Sequence, residues 1–414
     1  MEHVSKSRGI SGEIKRSADD FIVEEISKNG GLLKINQDFS AAQLGEKEDA
    51  DGKFAKFVLQ KKNWDTIRAL MVVAKTVGRG VKSIGYSGMK DRISTSTQLA
   101  SIYGVNASAL SRVNLRDLRI CGAWQSSTAA SMGDLLGNHF TARICDSYAS
   151  DEKIITINEE LNGRIANYFG KQRFGIRGNN ANIGLAIMRG DLENAVMDFL
   201  TNTKHETNEE SVTARERLAQ DRDFDAALKY FPMHLRNERR VISKLAANGG
   251  DYANALRSIP RGTSIMFIHA VESQIFNDEL NMRIKSNDME NALLYCGLNG
   301  YGFPDIKNLT AEKMDGALPV APLIGYNTKP EHINSYEEEI MEKMGLHVED
   351  FKVKKMPELG MKGTERALMI NYLDFNYKIE EKDAIFEFSL PAGAYATMLL
   401  EEFTKNENQN HGVE

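Results

Sequence analysis

A chain of 414 residues exceeds one ordinary core, so two compact units, or one unit interrupted by a large insert, are expected. Apolar residues make up 42% and charged residues 27%, which excludes a disordered or fibrous chain, and the net charge of −6 excludes a protein that coats nucleic acid through its total charge. Any contact with RNA must therefore be local. Residues 1–100 hold 17 Lys plus Arg against 13 Asp plus Glu, so a basic groove is permitted there, with acidic surplus elsewhere, as at Glu337 to Glu342.

The first residues lack the apolar stretch of a secretion signal, and no later window of about 18 uncharged apolar residues offers a membrane span, so a cytoplasmic protein with no membrane partner is expected. The three cysteines, Cys121, Cys145 and Cys296, are too scattered for a disulfide framework or a CxxC site, and the eight histidines form no HxxxH pair. No metal is expected.

In chain order, Lys53 to Gln60 alternates as a strand does, and Asn63 then precedes Trp64, Ile67, Leu70, Met71, Ala74 and Val77 at helical spacing, closed by Gly78 and Gly80. Strand-like pieces follow at Ser83 to Tyr86, Thr95 to Tyr103, Asp117 to Gln125 and His139 to Cys145. From about Ser150 the periodicity is helical, with helices predicted over Asp151 to Ala166, Ile183 to Leu200, Val212 to Leu218, Asp223 to Tyr230, His234 to Ala247 and Phe267 to Lys285. Near Glu365 the strand texture returns in ALMINYLDFNYKI and AIFEFSL, and Ala392 to Phe403 closes the chain as a helix. The last stretch resembles the first third, which predicts a discontinuous sheet domain with a helical domain inserted.

Standard nucleotide and hydrolase motifs fail. Gly78-Arg79-Gly80 lacks the third glycine of GxGxxG, Gly170-Lys171 lacks the upstream glycine of a P-loop, and Gly85 to Met89 misses the second glycine of a nucleophile elbow, so no nucleotide cofactor is expected. Two segments are left. Gly88-Met89-Lys90-Asp91-Arg92 sets a carboxylate between two cations on a turn between strands; the cations favour the ionised form that a nucleophile or base needs, although a Lys-Asp pair in a turn is ordinarily a solvated surface pair. Asn167 to Asn180 interleaves aromatics with Lys171, Arg173 and Arg177 and holds no acidic residue, a composition that suits stacking on bases and contact with phosphates, or equally a loop whose rings plug a domain boundary.

Taken together the residues resemble the TruD family of tRNA pseudouridine synthases. Gly12 to Lys15 followed by Asp20-Phe21-Ile22-Val23-Glu24 is similar to the signature K…DF.V.E, and Gly88 to Arg92 with Gln98 to the catalytic G.KD…..Q. Gly137 to Phe140 resembles GN.F, Asn167 to Gly175 resembles NYFG.QRFG, Ser273 to Asn277 resembles QS..FN, and Leu390 to Thr397 resembles LPAG.YAT. Two positions depart from the pattern, Glu272 where a Gln is expected and Glu401 where an Arg is expected.

The resemblance implies an α+β fold, a mixed, mostly antiparallel sheet flanked by helices and interrupted by a helix-rich domain. The catalytic domain would be residues 1–166 and 364–414, and the insert 167–363. It implies isomerisation of uridine 13 in the D arm of tRNA without a cofactor, by a monomer needing no protein partner, with Asp91 as nucleophile or base and Lys15 holding it ionised. Phe140 would stack on the extruded base, Asn138 would orient the Asp91 loop or the base, Phe21 and Glu24 would support the pocket, and Lys90 and Arg92 would meet phosphates. Asn167, Lys171, Gln172, Arg173 and Arg177 would form an RNA-facing hinge. The rival reading is a tRNA-binding or tRNA-folding protein without activity; a hydrolase using Asp91 is poorly supported, because no His or second carboxylate lies nearby in sequence.

Overall fold

The computed structural model describes residues 1–406, and its centre is a nine-stranded sheet. Its main path runs Leu373–Glu380, Asp383–Pro391, Leu135–Cys145, Phe21–Ser27, Thr95–Tyr103, Phe54–Lys62 and Leu118–Ser126. Glu13–Ile14 adds to Leu135–Cys145, and Ile84–Tyr86 to Thr95–Tyr103. Each pairing is antiparallel except that of Phe21–Ser27 with Thr95–Tyr103. The first and last parts of the chain thus share one mixed, mostly antiparallel sheet: Phe140 lies between Val23 on one neighbouring strand and Phe388 on the other.

Alternation along the strands decides what each face buries. Phe21, Val23, Phe140, Ala142, Phe386, Phe388 and Leu390 turn to one face and share a core with Ile154, Ile157 and Leu161 of the helix Asp151–Leu161 and with Leu399, Leu400 and Phe403 of the helix Ala396–Thr404. Burying each of the larger of these side chains contributes about 1.5–3 kcal/mol. A second core is helical. It gathers Ile183, Leu192, Val196, Leu218, Val241, Phe267, Val271 and Phe351.

Two predicted helices end earlier than periodicity suggested, each for a backbone reason. Asn162 and Gly163 adopt left-handed conformations that stop the helix at Leu161, and Arg164–Ala166 becomes a strand paired with Met369–Asn371. Gly190, also left-handed, divides the run from Ile183 to Leu200, and the Asp191 carboxylate caps the second helix by accepting the Asn194 amide. The segment 167–363, expected to be helix-rich, also contains strands. Pro304–Thr310, Leu294–Leu298 and Leu318–Leu323 form a four-stranded sheet with Thr364–Ala367. Leu294, Cys296, Leu318 and Val320 join the core of the large sheet, whereas Ile324 to Leu359 return to the helical core. Among the described residues no helix is long and apolar enough to cross a membrane.

A buried carboxyl pair ties the long helix Arg261–Ser286 to Ser335–Lys343. Arg283 and the Asn334 side chain both donate to Glu279, and Glu337 accepts the Asn334 amide at 2.6 Å. Burial, reinforced by neighbouring Glu279, pushes the Glu337 carboxyl well above the usual carboxylate range. A group whose pKa rises on folding stabilises most at low pH, and that contribution declines as pH climbs above the unfolded carboxylate value. Glu337→Gln is therefore expected to lose less stability than wild type between pH about 5 and about 9, measured by denaturant unfolding at both pH values. A wild type that gains stability across that interval relative to the variant would contradict the assignment.

Candidate active site

The turn between Ile84–Tyr86 and Thr95–Tyr103 carries Asp91, and side chains from three strands and one helix hold it. Gln98 donates to the Gly88 carbonyl at 3.0 Å. Thr66, at the start of the helix Thr66–Thr76, accepts the Lys90 amide at 3.1 Å and donates to the Lys90 carbonyl at 3.0 Å. The Lys90 ammonium meets Glu25 at 2.7 Å with both side chains almost fully buried, and the other Glu25 oxygen accepts from Ser87 Oγ and the Leu99 amide. The Asp91 carbonyl accepts from Lys61 Nζ at 2.6 Å and from Ser94 Oγ at 2.7 Å. The main chain at Asp91 is thus fixed before its carboxylate is considered.

One Asp91 carboxylate oxygen pairs with the Lys15 ammonium, and the other accepts from Gln172 Nε2 at 3.3 Å. Lys15 has φ of 61°, an uncommon left-handed conformation for a non-glycine residue, at the exit of the short strand Glu13–Ile14. That turn lays its ammonium 4.0 Å from the Phe21 ring centre. Phe21 in turn packs against Phe140 at 5.8 Å, and Phe140 stacks on Phe388 at 5.4 Å. Burial works to raise the Asp91 pKa, but the Lys15 charge and hydrogen bond, the Gln172 donor and the Lys61 charge outweigh it and hold the carboxyl below its ordinary value. Asp91 is ionised at neutral pH, partly exposed, and able to act as a nucleophile or as a base.

A family profile described as "tRNA pseudouridine synthase D (TruD)" matches residues 1–403. The chain belongs to the TruD family. The probable tRNA pseudouridine synthase D of Methanosarcina acetivorans is 30% identical over 436 residues, covering 97% of this chain and 94% of that protein. That of Methanopyrus kandleri is 31% identical over 383 residues, covering 90% and 91%. The crystal structure of the putative tRNA pseudouridine synthase D of Methanosarcina mazei superposes with a TM-score of 0.76 at 28% identity and covers 98% of this chain and 96% of that one. TruD proteins are tRNA pseudouridine synthases, so this chain is an isomerase with tRNA as its substrate.

The segments that resemble TruD signatures meet in space. A Cβ on Gly137 would lie 2.1 Å from the Leu390 carbonyl oxygen, so the close approach of these two strands requires glycine there. Asn277 grips Phe169 from both sides, accepting its amide and donating to its carbonyl at 2.9 Å each. Arg366 reaches the Asn167 side chain at 2.6 Å and lies 4.1 Å from the Phe169 ring centre, while burial pushes its guanidinium down to about 10. The departing residue Glu272 is buried against His269 at 2.8 Å, inside the helix packing.

Several expected site residues point elsewhere. Lys90 is spent on Glu25 and does not present its ammonium to a phosphate. Glu24 faces the opposite side of the sheet, where it accepts the Ile35 amide at 2.7 Å and lines a cavity of about 420 Å³ with His139, Thr141 and Ser389. Strand alternation gives the supporting role to Glu25 instead. Phe140 is only 6% exposed between Phe21 and Phe388, so the expected open stacking platform is not what the structure shows. Asn167 is buried between Arg366 and the Ala367 carbonyl, and Arg177 turns into the helical core toward Glu238 and the Phe199 carbonyl. Their side chains hold the fold together. Arg173 lies over Phe169 at 4.9 Å and is half-buried, whereas Arg92 and Lys171 are exposed. Asn138, opposite Glu25 and Leu390, keeps its side-chain oxygen buried with no partner among the described residues.

Proposed function

We propose that Asp91 is the reacting carboxylate and that the uridine isomerised is number 13, in the D arm of tRNA. The observation that carries the reading is the convergence of Lys15 and Gln172 on the two Asp91 oxygens, from positions 76 and 81 residues away in sequence. The reaction breaks the N1–C1′ bond, turns the uracil and forms a C5–C1′ bond. Atoms and electrons balance: the hydrogen on C5 leaves as a proton, and N1, freed from C1′, takes one up. Asp91 either attacks the nucleoside or removes a sugar proton, and both roles need the ionised form that Lys15 maintains.

A uridine in folded RNA has to leave its stack before a protein carboxylate can reach it. The RNA lies between the sheet unit, residues 1–166 and 364–406, and the insert 167–363, because Gln172, just inside the insert, already reaches Asp91. Asn138 supplies an unused acceptor beside Glu25, able to orient the base or the loop. Arg92 and Lys171, exposed on the two sides, make the phosphate contacts.

Nucleotide-resolution mapping of pseudouridine in tRNA incubated with the protein tests the position: conversion at uridine 13 is expected, and conversion confined to another uridine refutes that part of the reading. The phosphate contacts have their own test. Arg92→Ala and Lys171→Ala should each reduce the slope of log affinity against log salt by about 1, while Arg177→Ala leaves the slope unchanged. Unaltered slopes in the first two variants would remove both residues from the interface.

A further inference from the structure

A lysine sealed inside a protein ordinarily meets a carboxylate, and Lys61 does not. It sits on Phe54–Lys62 opposite Ser96 on one neighbouring strand and Leu118 on the other, and it is fully buried. Among the described residues no carboxylate oxygen lies within ion-pair distance of its ammonium; Nζ donates instead to the main-chain carbonyl of Asp91 at 2.6 Å. Ser94 Oγ takes the second lone pair of that oxygen at 2.7 Å. Burial, with the Lys90 charge acting in the same direction, outweighs the Asp91 and Asp65 charges that favour the ammonium and brings the amine down to about 8. A methionine would fill similar space without desolvating a charge, so the cation has a use that packing does not explain. A hydrogen bond from an ammonium is roughly twice as strong as one from a neutral donor.

We propose that Lys61 is a positioning residue for the isomerisation: from beneath the turn, its ammonium holds the main chain of Asp91 so that the carboxylate stays between Lys15 and Gln172. The inference rests on Asp91 being the reacting carboxylate. It assigns Lys61 no contact with RNA, since the side chain is closed to solvent.

The test uses the full-length enzyme and a tRNA transcript labelled with tritium at uridine C5, whose release reports product formation. Lys61→Met should lower kcat by about 100-fold, the loss that a misplacement near 1 Å produces. KM for tRNA should change by less than about threefold, because uniform binding is untouched. Lys61→Gln, which keeps a neutral donor, should recover part of the loss. Wild-type kcat should fall as pH rises through about 8, where Lys61 gives up its proton, and Lys61→Gln should lack that fall. Should Lys61→Met not fold, as judged by its thermal transition, Lys61→Gln and the pH comparison decide. Unchanged kcat in the variants, a loss confined to KM, or the same fall through about pH 8 in Lys61→Gln overturns the proposal. Asp91→Asn assayed in parallel separates the two failures. If that variant turns over, the reading of Asp91 itself is wrong; if it is inactive while the Lys61 variants match wild type, only the role of Lys61 is lost.

Discussion

Asp91→Asn is expected to bind tRNA with an affinity within about threefold of wild type and to form product at least about 1,000-fold more slowly. The amide keeps the size of the side chain and removes only its charge and its basic oxygen. Arg92 and Lys171 remain exposed and charged, while Lys15, released from its pair, stays beside the Phe21 ring. Binding measured by filter retention and turnover measured by tritium release from C5 should therefore separate. Substantial turnover by Asp91→Asn would remove the carboxylate from the chemistry. Loss of binding together with turnover would show that Asp91 shapes the RNA surface instead.

The second large effect is expected in stability. Glu25 and Lys90 form a nearly dry ion pair at 2.7 Å, with side chains 0% and 2% exposed. Removing one partner of such a pair strands the other as an uncompensated buried charge, which costs about 3–5 kcal/mol. Glu25→Ala should show a loss of that size in denaturant unfolding, and it also frees Ser87 Oγ and the Leu99 amide from their acceptor. Adding Lys90→Met removes the stranded cation, so the double variant should be more stable than Glu25→Ala alone. A double variant less stable than the single one would mean that the pair is not coupled as the geometry indicates. Because the pair anchors the residue before Asp91, kcat should fall in Glu25→Ala even where the protein is fully folded.

Much of the sheet was legible because its strands obey simple alternation or uniform burial. Thr95–Tyr103 has the predicted limits, and Phe54–Lys62 and Leu118–Ser126 differ by one or two residues from expectation. The strand predicted from His139 begins at Leu135, since Leu135 to Asn138 continue the pairing with Phe21–Ser27 across an irregularity. The strands at Leu294–Leu298 and Pro304–Thr310 read as loop in the sequence because glycines and a proline punctuate them and the second is only half-buried, with no alternation of buried and exposed positions.

In the site, Asp91, Lys15 and Gln172 were legible through the family resemblance, but Lys61 was not. A lysine in an alternating strand carries no signal that it will be buried, and its partner is a main-chain carbonyl 30 residues away. Two features of the sequence mark Glu25. In the pattern DF.V.E one residue separates the valine from the glutamate, which places the match at Glu25 and not at Glu24. Strand alternation says the same, since Glu25 shares a face with Phe21 and Val23. Arg177 illustrates the opposite error: a cation in a glycine-rich stretch looks solvated until the helical core supplies Glu238 and the Phe199 carbonyl.

Whether the Asp91 carboxylate isomerises a uridine of tRNA is read out by pseudouridine mapping with carbodiimide adducts on unmodified tRNA, wild type and Asp91→Asn side by side. One uridine blocked after incubation with wild type and none after incubation with the variant is the predicted outcome. An adduct of equal yield at the same uridine with both proteins, or none with wild type, would contradict it.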